Sequence, residues 1–568
     1  MQSALQVGDR VRITLHGRRV GGWVIGLGVH GKEGFNSVPL DKLSPVIKRS
    51  GVGVLPHLVP LTLDVAKKYC GPRRAVLQSA SAPRSNILIG APQHGKIQQE
   101  QDPLSEQFRS FQAKNIGSVV FGSQIDPLHS VLSIVKELAT SGPVLVVCPT
   151  VRMAVMGAAS LRRHGCKVAL APDDWSQAAS GVDVVIGPRS AVWAPCVNLS
   201  SIVVVDEHDD SLQEERVPTW HARDVAFLRS RIEGAKCVLS SPVLSVEAHH
   251  LVNSYGGHVF TSNRNATDGW PPIRIIDINE IEVDRSLASS ELIQLIRKPK
   301  ASVLCVLNTK GRARLLACRS CRTVARCQEC SSVERSNEQG ELVCDLCSKT
   351  RDAVCMQCGR TSFLTLRSGI TQLRDELMKA ATVPVTEVDA STTIENIADS
   401  SGVFIGTEAL LHRVPSANVV VFLDFDTEML SPRITATRDA LSLLIRAARI
   451  VGKRGQILVQ TRHPQHELLR ALAMVVDSPE ALESFKKHDL ALRQMLQLPP
   501  FMSLARVSAA HQDALEQLLR TQDIAFARES SGSFLLKTDS EVSLQVLIEQ
   551  LRDESSQRLR IEMNPSRY

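Results

Sequence analysis

The sequence predicts a multidomain α/β protein: two parallel sheets covered by helices, a cysteine-rich insertion in the second, a small basic β-barrel in front and an α+β domain behind. Three observations carry this expectation. Short apolar runs alternate with polar, helix-forming segments over most of the chain, as expected of strands buried on both faces of a parallel sheet. Eight of the 14 cysteines fall between positions 318 and 358. Residues 1–74 carry 12 Lys or Arg against 4 Asp or Glu, whereas the remaining 494 residues are about neutral within a net charge of +7.

At 568 residues the chain is too long for one core. Residues 7–43 alternate like short strands joined by Gly-containing turns, which defines a barrel-like first domain over 1–75. Arg10, Arg12, Arg18 and Arg19 flank its first strands and are candidate phosphate contacts. Trp23, inside the strand-like run GGWVIG, reads as packing rather than as a base-stacking platform. A basic head on a neutral body fits a defined nucleic-acid contact. Residues 76–103, rich in Pro and Ser, read as a linker.

A first α/β set spans 104–262 through SVVFG, PVLVVCPT, DVVIG, SIVVVDE and KCVLSS. A second spans 273–475 through ASVLCVLN, GVFIG, NVVVFLDFD and GQILVQT, with the cysteine cluster at 318–358 interrupting it. The tail, 476–568, contains the turn QLPPF and amphipathic stretches such as SLQVLIEQLRDE, and is expected to be α+β. The first thirty residues show no apolar leader and no run approaches a membrane span, so a cytoplasmic location is expected.

The cysteines form four CxxC pairs: Cys318/Cys321, Cys327/Cys330, Cys344/Cys347 and Cys355/Cys358. In a reducing compartment such clustering points to metal rather than disulfides. Two CxxC turns complete one tetrahedral four-thiolate zinc site, closed to catalytic water, so two structural Zn²⁺ are expected. Thirteen residues separate Cys330 from Cys344 and only five separate Cys321 from Cys327. The longer gap suits one ribbon, which favours a nested pairing. Cys318, Cys321, Cys355 and Cys358 would hold one ion, and Cys327, Cys330, Cys344 and Cys347 the other.

The strand-like run ending at Val205 leads into Asp206, Glu207, His208, Asp209 and Asp210. In helicase-type ATPases an Asp-Glu pair at such a strand end holds Mg²⁺ and orients the attacking water. Set against that reading is a plain one, a solvated acidic strand end that helps to terminate the sheet. The order of further segments suggests a family: GPRSAVWAP at 187–195, the acidic box, HARD at 221–224, the eight-cysteine insertion, QTRHPQHELL at 460–469 and QLPPF at 497–501. Together they resemble the primosomal protein N′ (PriA) family over nearly the whole chain. The resemblance implies a 3′-end-binding barrel, a winged helix, two RecA-like helicase lobes with a two-zinc insertion, and a C-terminal domain. The nested zinc pairing is also the family's.

Members that unwind DNA carry GxTGSGKT after the first strand. Here the matching stretch reads GSQIDPLHS, with Leu128 in place of the lysine and His129 in place of the metal-binding hydroxyl. Gly122 is the one glycine left in that loop, and Pro127 has no N–H to offer a phosphate. The third motif reads SSPVL at 240–244, and the fifth, GTEALLHRVPSA from Gly406, lacks its Lys-Gly-His. The sixth falls near IRAARIVGKRG, where an ungapped alignment puts no arginine at either finger position. Arginine fingers are worth about 10³–10⁵ in rate. Without cradle, lysine and fingers, ATP is expected not to be used, and Asp206 and Glu207 become relics. Trp220, His221 and Arg223 lie in a shortened version of the family's DNA-coupling loop, where His221 reads as a helix-start brace or a DNA contact. The winged helix is expected to be reduced or absent.

The resemblance implies a monomeric protein at the nucleoid that binds stalled or abandoned forks. It would promote primosome assembly and reloading of the replicative helicase, without helicase activity of its own. Expected partners are forked DNA, primosome and helicase-loading proteins, and single-strand-binding protein. The alternative is an active ATP-dependent 3′→5′ helicase with a divergent nucleotide site.

Overall fold

The computed structural model describes residues 5–28, 39, 42–83, 88–98, 106, 119–122, 127–261, 270–279, 288–298, 302–307, 316–321, 323, 325–328, 334–337, 339–344, 349–365, 369–388, 402–430, 434–475, 480–529 and 532–565. It divides into two compact units. One holds Met1–Arg264, Leu496–Val507 and Lys537–Pro565, the other Asn265–Met495, Ser508–Leu536 and Ser566–Tyr568. The tail expected as one domain is therefore shared between them.

The first unit opens with strands β1 (Arg10–Leu15) and β2 (Arg18–Trp23), joined by the two-residue turn His16–Gly17 with φ of 49° and 72°. Two positive φ angles give a turn whose twist matches that of the strands. Strand β3 (Val46–Gly51) pairs with the other edge of β1, giving the antiparallel order β2-β1-β3. Among the described residues this is a three-stranded sheet; positions 29–38 and 40–41 of the expected barrel lie outside them. The helices Val59–Lys68 and Arg73–Ser79 follow, burying Leu61, Val65, Val76 and Leu77. Trp23 Nε1 donates to Ser81 Oγ (2.8 Å), so this half-buried indole is tied to the helical segment.

Residues 88–98 form an extended strap rather than a loose linker. Gly90 N donates to Ser180 Oγ (2.7 Å), Gln93 N to Gly181 O (2.9 Å) and Gln98 N to His164 O (3.0 Å). The buried Asp183 accepts from Gly95 N (2.9 Å) and Lys167 N (2.8 Å), and His94 Nδ1 lies 2.9 Å from its other oxygen. A Cβ on Gly95 would sit 1.8 Å from Gly165 O, so only glycine permits this approach.

The first lobe's sheet comprises β4 (Val119–Gly122), β5 (Val144–Val147), β6 (Val168–Leu170), β7 (Val184–Gly187), β8 (Ser201–Val204), β9 (Lys236–Ser241) and β10 (His258–Thr261). Its seven strands are all parallel, in the order β10-β4-β9-β8-β5-β7-β6. Helices on both faces explain the continuous apolar runs. Val131, Val135, Leu138, Ala154, Leu161, Ile186 and Val203 share one buried cluster.

The second unit repeats the plan. Strands β11 (Ile273–Asp277) and β12 (Ser302–Val306) precede the insertion, whose short strands are β13 (Leu316–Cys318), β14 (Glu334–Ser336), β15 (Leu342–Cys344), β16 (Thr350–Arg351) and β17 (Phe363–Thr365). After it come β18 (Val385–Val388), β19 (Gly402–Gly406), β20 (Val419–Phe422) and β21 (Gln456–Thr461). The second parallel sheet runs β11-β21-β20-β12-β19-β18, so the insertion emerges between two strands of one lobe. Beyond residue 495 the chain adds β22 (Ser503–Ser508), β23 (Phe526–Arg528), β24 (Phe534–Thr538) and β25 (Arg560–Met563), with helices Gln512–Thr521 and Glu541–Glu554. The mixture is α+β. No helix among the described residues is long and apolar enough to cross a membrane.

Candidate functional site

In an open parallel sheet the strand carboxyl ends share one edge, and ligands bind in the crevice there. Strand β4 ends at Gly122 and β8 leads through Val205 to the acidic box, with β9 paired to both. Residues 123–126 lie outside the described set, and Leu128 and His129 fall in the first turn of the helix Pro127–Ala139, their side chains also outside it.

The acidic box is not solvated, which corrects the plain sequence reading. Asp206 and Glu207 have no exposed surface, His208 and Asp209 are buried, and only Asp210 reaches solvent. Burial of carboxylates is tolerated only with charge and hydrogen-bond partners. Glu207 Oε1 accepts from Ser245 N (2.7 Å), and Oε2 from Ser245 Oγ (2.7 Å) and Arg223 Nη1 (3.1 Å). Asp209 Oδ1 accepts from Ser211 N (3.0 Å) and Oγ (2.6 Å). Asp206 turns the chain at φ 51°, a conformation Asp tolerates better than most residues. Ser245 also caps the helix Val246–Ser254 by accepting from Ala248 N (3.0 Å).

The network extends outward from Arg223. Its Nε donates to Asp224 Oδ1 (3.0 Å), and Tyr69 Oη donates to Asp224 Oδ2 (2.7 Å) while accepting from His221 N (3.0 Å). Burial alone would push the Asp224 carboxyl up, but the Arg223 and Lys68 charges outweigh it and hold that carboxyl well below the usual range. Lys68 in turn pairs with Glu541 at 2.5 Å. HARD thus has a structural reading. His221 caps the helix Ala222–Glu233 through Nδ1, which accepts from Arg223 N (3.1 Å), and Arg223 pairs with the buried Glu207. The roles of Arg223, Ser245 and Tyr69 were missed from sequence. The only signal was an arginine in a stretch of helical periodicity shortly after the acid pair.

The other boxes also serve the fold. The SSPVL turn touches the acidic box through Glu207 N, which donates to Ser240 O (3.0 Å), and through His208 Nδ1, 2.7 Å from Ser241 Oγ. GPRSAVWAP is clamped by the fully buried Arg229, whose Nη1 donates to Val192 O (2.7 Å) and Ala194 O (2.8 Å). Trp193 stacks edge-on against buried Trp220 with centroids 5.8 Å apart. In the second unit, Asp426 binds the QTRHP turn through Thr461 Oγ1 and through Arg462 N (2.8 Å). Arg446 and Arg449 lie on the helix Ala436–Val451, and Arg446 Nη1 contacts His412 Nε2 at 2.7 Å.

The cysteine module gathers a candidate metal site. The sulfurs of Cys318, Cys321, Cys355 and Cys358 all lie within 4.8 Å of one another, with Cys318–Cys358 and Cys321–Cys355 both at 3.5 Å. The edge of a zinc–thiolate tetrahedron with bonds of ~2.3 Å is about 3.8 Å, so four thiolates at these positions fit one ion. Backbone bonds shape both turns: Cys318 N donates to Thr323 O (2.9 Å) and Cys355 N to Arg360 O (2.8 Å). A hydrogen bond with Thr323 lowers the Cys321 thiol, which favours the thiolate a metal requires; at Cys358 a backbone hydrogen bond from Arg360 lowers the thiol, but its sulfur neighbours outweigh it and raise it. Of the inner set, Cys327 and Cys344 are buried in the module, and Cys330 and Cys347 lie outside the described residues.

No family model matches the chain. Among curated proteins it is 28% identical over 374 residues to the replication restart protein PriA of Haemophilus influenzae, covering 61% of this chain and 50% of that one. With PriA of Bacillus subtilis it shares 25% over 440 residues, covering 71% and 54% respectively. With PriA of Treponema pallidum it shares 28% over 347 residues, covering 57% and 51%. The chain is similar to the PriA replication restart proteins over 57–71% of its length. It spans about half the length of the curated relatives it matches. Looser likenesses are to helicase MrfA bound to DNA (12% identity, TM-score 0.37, 84% of this chain and 70% of that) and to S. cerevisiae Dbp5 bound to RNA and ADP BeF3 (13%, 0.36, 68% and 97%).

The chain presents its candidate DNA contacts unevenly. Arg12, Arg18 and Arg19 are exposed on β1 and β2, whereas Arg10 Nη2 donates to Ala82 O (2.8 Å) and helps to fasten the sheet to the following helices. Arg49 forms a bidentate pair with buried Asp9, at 2.7 Å for both bonds, on the neighbouring strand. The sheet is thereby braced while three arginines stay outward.

Proposed function

We propose that the chain is a replication-restart protein that binds stalled or abandoned forks as a passive scaffold, without hydrolysing ATP, and supports reloading of the replicative helicase. The observation that carries this reading is the engagement of Glu207. Both oxygens of the acid that would orient a water are bound by Arg223 and Ser245 in a sealed interior. The lysine and hydroxyl of a phosphate cradle are replaced by Leu128 and His129 in the same chain. Two zinc ions, one on Cys318, Cys321, Cys355 and Cys358 and one on Cys327, Cys330, Cys344 and Cys347, would serve as structural staples for a surface that meets DNA or primosome and helicase-loading proteins. Their four-thiolate sets would leave no position for water.

The test is ATP hydrolysis by the zinc-loaded protein, with and without a fork carrying a free 3′ leading-strand end. The expected result is no fork-stimulated turnover under conditions where the fork is bound. Turnover abolished by Asp206→Ala would instead restore the helicase reading, with Arg446 and Arg449 as the arginines to examine.

DNA binding through the basic head makes a second expectation. Replacing Arg12, Arg18 and Arg19 together with alanine should reduce the slope of log affinity against log salt by roughly 2–3, about one for each phosphate no longer neutralised. An unchanged slope, measured by fluorescence anisotropy across a salt series, would move the DNA-binding surface away from this sheet.

A further inference from the structure

Two helices of the first unit turn unlike but matching faces to solvent. On Val151–Arg163, Val151, Val155 and Met156 are 62%, 45% and 50% exposed. Arg152 and Arg163 are exposed on the same face. On Glu541–Glu554, Val542 and Val546 are 68% and 49% exposed, followed along one stripe by exposed Glu549 and Asp553. Each helix already has its core-facing side, formed by Ala154, Ala158 and Leu161 in one and Leu544, Ile548 and Leu551 in the other. The outer residues are therefore a second apolar stripe, which a solvated helix face does not ordinarily carry. One stripe is flanked by cations and the other by anions.

We propose that these faces are the two halves of a head-to-tail contact between copies of this chain. Laid parallel, Val546 of one copy meets Met156 of the next and Asp553 meets Arg163, because both pairs are seven residues apart along their helices. That spacing is roughly 10 Å, or two helical turns. Val542 then falls at the level of Arg152, between the Val151 and Val155 side chains. The antiparallel alternative would set Val542 against Arg163 and leave Met156 facing Glu549. Since the two faces differ, the contact is heterologous and copies add in a row rather than closing into a symmetric pair. A single helix pair buries far less than the ~1,200 Å² of a stable complex, so the contact is weak and transient. The monomer expected from sequence is then the dilute form, and copies side by side on one nucleic acid would meet at a much higher effective concentration.

Sedimentation velocity of the full chain at rising concentration and low salt tests this, with Arg163→Glu and Asp553→Arg as variants and their thermal melts as folding controls. The wild-type boundary should move faster with concentration and return to the monomer value at high salt. Each variant alone should associate at least tenfold more weakly. An equimolar mixture of the two variants should regain association, because the intact Asp553 face of one meets the intact Arg163 face of the other and the two altered faces carry the same ion pair reversed. Three results would overturn the proposal: a wild-type chain that stays monomeric to several hundred micromolar, association insensitive to both substitutions, or a mixture that does not pair. So would Arg163→Glu weakening binding to a DNA fork while leaving association intact, which would assign that helix to nucleic acid.

Discussion

Replacing Cys355 with serine should cost the protein one equivalent of bound metal and collapse the order of the outer cysteine turns. The four sulfurs within 4.8 Å of one another are mutually repulsive as thiolates and have little apolar packing to hold them together. The described core of the module is small: Leu316, Ala325 and Leu342, with Ala353 and Phe363 packed against them. For a fold this size the metal supplies the stability, with apparent binding energies of about 10–16 kcal/mol in comparable peptides. Metal content by mass spectrometry should fall by one ion per chain, and protease cleavage should appear between 316 and 365. Cys196→Ser, a buried cysteine outside the module, should change neither. Unchanged metal content in Cys355→Ser would show that the four sulfurs are not a ligand set.

Arg223→Ala should destabilise the first unit by about 3–5 kcal/mol, the usual cost of stranding one partner of a buried ion pair. Glu207 would be left in a sealed interior with only the Ser245 donors, and Asp224 would lose its nearest cation. At roughly 2–4 °C per kcal/mol for a unit of this size, the melting temperature should drop by on the order of 10 °C. A double variant with Glu207→Gln should recover part of the loss, because it removes the charge left unpaired. A drop of less than about 1 °C in Arg223→Ala would mean that the pair contributes nothing. The pH dependence follows from Asp224, whose folded value is depressed below its ordinary 3.8. Its contribution is complete above that value and is lost progressively as pH falls below about 4 towards the folded value. Arg223→Ala should flatten this acid limb of the stability curve.

Much of the architecture was legible because parallel sheets write themselves as continuous apolar runs. Val144–Val147, Val184–Gly187, Ser201–Val204 and Val419–Phe422 are each buried at every position. CxxC spacing constrains the turn itself, and the sulfurs of Cys318, Cys321, Cys355 and Cys358, which the nested pairing groups together, lie within 4.8 Å of one another. The state of the acidic box was not legible. Whether Glu207 is wet or sealed depends on Arg223, Ser245 and Tyr69, which come from three separate stretches of chain and meet only after folding. The segment at 76–103 misled for a different reason. Its Pro and Ser content is that of a flexible connector, yet its backbone groups bond to Ser180, Gly181, Asp183 and His164, which composition does not reveal.

That docked strap bears on how the chain can be divided. A cut between 98 and 104 would separate head from body on paper, but it would take away Gly95 N and His94, two of the groups that surround the Asp183 carboxylate. The remaining fragment would carry a raw edge, with a buried acid newly opened to water and the Gly165 turn stripped of its neighbour. Anyone trimming this protein into working parts should treat residues 88–98 as a seam belonging to the body, and make the division upstream of it.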